Sequence, residues 1–203
     1  MNNDLLHERI KHQFSESIQV KIMTADALLP AILLAAEKLT TCLLNGHKAM
    51  SCGNGASACD ALRFAEQMLN RFKGERPPLP ALALTADTSV ITGIANDSAY
   101  QDIFAKQIRA LGQSGDILLI MSSCGNSANI LHAIKAAHDR NINVIAITAD
   151  DGGKIAEQLR DSDVEIRVPS SDTARAQETH VLIIHCLCDI VDCQLFGQGE
   201  LNQ

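Results

Sequence analysis

"SCGNGASACDALRFAEQM", residues 51–68, joins a short apolar run to a glycine-punctuated turn and then to a helical pattern. Gly53 and Gly55 permit a sharp turn and close approach of the backbone. Ser57, followed three residues later by Asp60, has the form of a capping box, so a helix is expected to open at Ser57. A helix start presents free amides and the positive end of a dipole, which suits a phosphate. An ordinary strand-to-helix turn fits the same residues. The spacing of Gly53, Gly55 and Ala58 also approaches the dinucleotide pattern GxGxxA. That pattern needs an acidic residue closing the next strand, about 20 residues on, and none stands there.

The same strand–turn–helix order repeats outward from this stretch. "KAMSC" is followed by the helix from Ser57, "PALAL" by a helix near 102–111, "ILLIM" by a helix from Ser127, "NVIAIT" by a helix near 153–159, and "VEIRV" by a long helix over about 172–196. Alternation of this kind predicts an α/β fold, a parallel sheet with helices on both faces and ligands at the carboxyl ends of the strands. Two helical patterns come first: Leu5, Ile10, Phe14, Ile18 and Ile22, then Leu28 through Leu39 to Leu44, stopped by Gly46. No repeat or linker divides the chain, so residues 1–203 are expected to form one domain, with "KGERPPLP" (73–80) its clearest irregular loop. "DALLPAILLAAEKLTTCLL" and "THVLIIHCLCDIVDCQLF" are apolar around most of the helix. A helix of that kind must be buried on two sides, and a second subunit is the expected cover, giving an oligomer built by helix packing.

A formal net charge of −7 argues against nucleic-acid binding and against an anionic membrane surface, both of which need basic patches. The seven cysteines form no CxxC pair and are expected to be reduced, mostly buried thiols; Cys186, Cys188 and Cys193 read as core. "MNNDLLHERIKHQF" carries charges through its apolar positions, unlike a secretory leader, and "ALLPAILLAA" is about half a membrane span. A cytoplasmic protein is expected.

A second loop, "MSSCGNSANI" (121–130), repeats the device of the first after another apolar strand. Ser122 and Ser123 supply hydroxyls, Gly125 allows the turn and Ser127 is placed to cap the next helix. Together the loops suggest a small phosphorylated ligand held by hydroxyls and amides without a Lys or Arg clamp. Residues 51–84, "MSSCGNSANILHAIKAA", "DGGKIAEQL", "DVEIRVPS" and "RAQETH" resemble the sugar isomerase domain family. Within it they resemble the phosphoheptose isomerases and their relative, the initiator-associating protein of bacterial replication. The resemblance implies a flavodoxin-like sheet, a homotetramer with ligand sites between subunits, and phosphosugar or phosphate as ligand.

Carried over by position, the resemblance puts substrate contacts on Asn54, Ser57, Asp97, Ser122, Ser123, Ser127 and Gln177, and a catalytic histidine on His185. The family's catalytic Glu and a zinc-ligand His fall on Gln67 and Arg63, one helical turn apart. An Asp of the last helix becomes Ala174, and a loop Ser becomes Cys124. Glutamine cannot take up a proton, and arginine repels a divalent cation. No cofactor is therefore expected; were zinc to bind, Gln177 and His185 would be the surviving ligands. His180 and His185, on an apolar helix, also read as packed core histidines. The pattern is expected of a non-enzymatic tetramer that binds the replication initiator. Sedoheptulose 7-phosphate isomerase of lipopolysaccharide heptose synthesis is the alternative, and a sugar-phosphate-sensing regulator a third.

Overall fold

The computed structural model describes residues 3–197. Five strands, β1 (Ala49–Gly53), β2 (Ala81–Ala83), β3 (Ile117–Ser122), β4 (Asn143–Ala149) and β5 (Val164–Val168), form one sheet in the order β2-β1-β3-β4-β5. Every neighbouring pair is parallel. The central strand β3, "ILLIMS", is buried along its whole length, as a strand covered on both faces must be.

Side chains of the middle strands alternate between two cores. Leu119, Met121, Ile145 and Ile147 pack with residues of helices α1 (Asn3–Leu44), α2 (Ala56–Leu69) and α7 (Thr173–Phe196), among them Leu39, Phe64, Ile184 and Leu187. Leu118, Ile120, Val144 and Ala146 pack on the opposite face with Phe104 and Ile108 of α4 (Ile103–Leu111) and with Ile130 and Ile134 of α5 (Ala128–His138). The remaining helices are α3 (Thr88–Asp97) and α6 (Gly153–Gln158).

Three expectations are corrected. The two opening helices are one, because "MTADA" between their apolar stripes holds neither glycine nor a cap to end a helix. Pro30, exposed, removes one ladder donor, yet the helix continues because Ile32, Ala35, Ala36 and Leu39 beyond it are fixed in the core. The change of stripe marks a change of covering: the later residues are buried, while Leu5, Ile10, Phe14, Ile18 and Ile22 are exposed in the single chain. Second, α2 opens at Ala56 with Gly55 as N-cap and no side-chain cap, so the capping box is not formed. Ser57 and Asp60 are instead buried, Ser57 being held under the turn where Gly53 packs directly on its backbone. Third, α3 was not expected; it has no buried residue, but Asp87 caps it by accepting from the Ser89 and Val90 amides at 2.9 and 3.0 Å. Of the thiols, Cys42, Cys52 and Cys188 are buried and Cys186 and Cys193 half-buried, whereas Cys59 and Cys124 are exposed.

Candidate functional site

From β1 the chain moves outward to β2 and then returns to the other side of β1 as β3. The strand order therefore reverses between β1 and β3, and α/β sheets bind ligands at such a reversal, beyond the carboxyl ends of the strands. Both glycine-containing loops lie at this place. Gly53, the end of β1, is in register with Met121 of β3, so the turns that follow stand side by side.

In the first loop the Asn54 amide is already engaged. Its Nδ2 donates to Asn129 Oδ1 and its Oδ1 accepts from Asn129 Nδ2, both at 2.8 Å, while the Tyr100 hydroxyl donates to Asn54 Oδ1 at 3.2 Å. Asn129 and Tyr100 are absent from the sequence-derived set. The buried asparagine just inside α5 was the available signal for one of them; nothing local marked the other. Asp97 ends α3, three residues before Tyr100, and its exposed carboxylate accepts from Asn96 Nδ2 at 2.9 Å.

In the second loop Ser122 Oγ accepts from the Gly125 amide at 3.2 Å, half-buried Ser123 follows, and Ser127 is the N-cap residue of α5 without a side-chain cap bond. Cys124 Sγ lies 3.8 Å from Ser122 Oγ and 3.6 Å from Ser127 Oγ. The Asn126 backbone amide chiefly holds this exposed thiol below the ordinary cysteine range, with the two serine hydroxyls adding to it against partial desolvation. The loop after β4 locks this one: the Ile155 amide donates to Gly125 O at 3.0 Å and the Lys154 amide to Asn126 Oδ1 at 3.2 Å.

The second group of expected residues lies along α2 and α7. Arg63 is exposed and Gln67 half-buried, and the Gln67 Oε1 atom is buried with no donor. His185 stacks its ring 5.4 Å from that of Phe72, over which Lys73 sits at 5.1 Å. Burial lowers the His185 pKa below the ordinary imidazole value, and the charges of Arg63 and Lys73 lower it further. The imidazole is thereby biased to its neutral form. Arg76 fastens the end of α2 to α7, donating to the Gln67 and Met68 carbonyls at 2.6 and 2.7 Å and to Asp192 at 2.9 Å. Gln177 is on the first turns of α7, eight residues before His185 and so about 12 Å from it along the axis. The structure thus brings Arg63 and His185 within electrostatic reach and leaves Gln177 apart.

Zinc needs three or four neutral or anionic donors converging on one point. Here the positions offer a guanidinium, an amide, an imidazole and a second amide remote from it within the chain. Among the described residues no three His, Cys, Asp or Glu side chains converge to hold a metal. The donor set does not fit zinc.

The family profile described as SIS domain matches residues 13–149. Proteins named phosphoheptose isomerase from Shewanella oneidensis and Shewanella baltica are 57% identical to this chain over 193 residues, 95% of this chain and 98% of theirs. The solved phosphoheptose isomerase of Francisella tularensis superposes with a TM-score of 0.90 at 48% identity, covering 95% of this chain and 99% of that one. That of Neisseria gonorrhoeae gives 0.87 at 48%, covering 92% and 98%.

Proposed function

The chain belongs to the SIS domain family, and on that premise we propose that it is a phosphosugar protein of the phosphoheptose isomerase type, acting on sedoheptulose 7-phosphate. The observation that carries the proposal is the pair of hydroxyl-bearing loops on adjacent strands at the reversal of strand order. They offer Ser57, Ser122, Ser123 and Ser127 to a phosphate, with Asn54 held by Asn129 and Tyr100. The names of relatives 57% identical over nearly the whole chain support the same substrate. The initiator-binding role expected first from the sequence has no such support.

Aldose–ketose isomerisation moves a proton between neighbouring carbons and requires the oxygens to carry charge in passing. His185 is the group suited to take the proton, because burial and the charges of Arg63 and Lys73 favour the unprotonated imidazole that a base requires. Arg63 supplies fixed positive charge for the oxygens. Gln67 cannot exchange a proton. A coupled assay with sedoheptulose 7-phosphate tests this: turnover is expected, falling about 10²- to 10⁴-fold in His185→Gln. Turnover unaffected by that substitution would remove His185 from the reaction.

A second reading is favoured by one observation, that Gln67 and Arg63 stand where the resemblance implies a carboxylate and a metal-ligand imidazole. In it the site binds phosphosugar without turning it over, and the protein acts through a partner such as the bacterial replication initiator. Absence of turnover by protein that still binds the sugar phosphate, together with retention of purified initiator on the immobilised protein, would establish it in place of the first.

A further inference from the structure

Charge on the exposed side of α2 and its neighbours is mostly paired. Lys73 has Asp189 at 3.0 Å, and Arg76, almost fully buried, has Asp192 at 2.9 Å. Glu66 is engaged by Asn70 at 3.5 Å. Arg63 is different: this exposed guanidinium has no hydrogen-bond or ion-pair partner among the described residues. Asp60 and His185 lie within its electrostatic reach, and neither forms an ion pair with it. Burial raises the Asp60 pKa above the ordinary carboxylate value, against the lowering pull of Arg63. One turn further on, Gln67 Oε1 is buried without a donor. The surface therefore presents a free two-pronged donor.

Its position relative to the loops sets a length. Arg63 follows Ser57 by six residues, about 9 Å along the helix axis, and helical side chains lean back towards the N-terminus. An extended six- or seven-carbon chain whose phosphate rests on the two loops is long enough to reach the level of Arg63 along the helix axis. For a neutral sugar end, Arg63 has only hydroxyls to meet. A carboxylate at that end matches the planar fork in shape and sign.

We propose that this site prefers a sugar-acid phosphate, a ligand with phosphate at one end and carboxylate at the other, and that Arg63 reads the carboxylate. The proposal rests on the two-loop phosphate site and adds to it the chemistry of the far end. A single guanidinium favours a carboxylate over a second phosphate, whose double charge it would only half balance.

Titration calorimetry of the full chain with 6-phosphogluconate and with sorbitol 6-phosphate tests this. The two probes share an open six-carbon chain and a phosphate and differ only in carboxylate against hydroxymethyl. The wild type is expected to bind the acid about tenfold more tightly. In Arg63→Gln that ratio should fall to near one, and Arg63→Lys should keep part of it. Arg63 is exposed, so these variants retain the fold. Equal affinities in the wild type, or a preference surviving in Arg63→Gln, would overturn the proposal while leaving the phosphate site standing. Ser122→Ala with Ser127→Ala should weaken both probes in parallel; if it weakens neither, or if the wild type binds neither, the two-loop site fails and this proposal fails with it.

Discussion

His180 is fully buried on α7, with Nε2 3.1 Å from the Thr148 carbonyl and Nδ1 unpartnered. Since a carbonyl only accepts, Nε2 carries the proton and the ring is neutral. Burial pushes its pKa down from 6.5 to about 4. Between those values the unfolded chain binds a proton that the folded chain does not, so stability falls as pH drops through this window and levels off below it. The loss is on the order of 3 kcal/mol. Urea midpoints followed from neutral pH to about pH 4 should show it, and His180→Gln, which can still donate to Thr148, should flatten that part of the profile. An unchanged profile in the variant would assign the pH dependence to other groups. His180 thus behaves as the packed histidine its apolar helix suggested, whereas His185, five residues on, is half-exposed beside two cations. Ser57, Ser122, Ser123 and Ser127 were singled out because each lies within a few residues of its loop's glycine, whereas Asn54 came only from the family resemblance. Tyr100 and Asn129 were not singled out, being 46 and 75 residues from the asparagine they hold.

Elements were legible where the hydrophobic period was strong. All five strands and helices α2, α4, α5, α6 and α7 fall where the alternation put them, with shifts of about one residue at most ends and a short 3-10 turn (Tyr100–Asp102) leading α4. α3 escaped because a helix with no buried face leaves no stripe. The joints between elements carry their own constraints. Gly125 has φ +65°, and a Cβ there would collide with the Gly152 backbone of the next loop. Gly55 has φ +58° but open space around it. Gly125→Ala should therefore cost several kcal/mol and weaken phosphosugar binding by displacing Ser122 and Ser127, while Gly55→Ala should cost only about 1 kcal/mol. Denaturant midpoints and sugar-phosphate titrations of the two variants check this; equal penalties would mean the two loops do not press on each other.

At the scale of the molecule, the first half of α1 is tied to α7 by a few polar contacts. Arg175 donates to Gln13 O and Oε1 at 2.9 Å and pairs with Glu178 at 2.8 Å, and Ser17 donates to Glu178 at 2.6 Å. Its apolar stripe lies open, with Phe14 68% and Ile18 57% exposed in the single chain. A stripe of this size on a helix signals an association surface, and light scattering at micromolar concentration is expected to give an assembly, the homotetramer implied by the resemblance, that Phe14→Glu with Ile18→Glu breaks apart. A wild-type monomer under those conditions would refute it. The sequence by itself determined the α/β class, the succession of strands and helices and the hydroxyl loops, because hydrophobic period and turn chemistry act over a handful of residues. Only the tertiary structure decided that Asn54 is locked from two distant segments and that Arg63 stands unpaired beside His185. Those facts depend on strand order, burial and charge balance between residues far apart in the chain, and no local pattern encodes them.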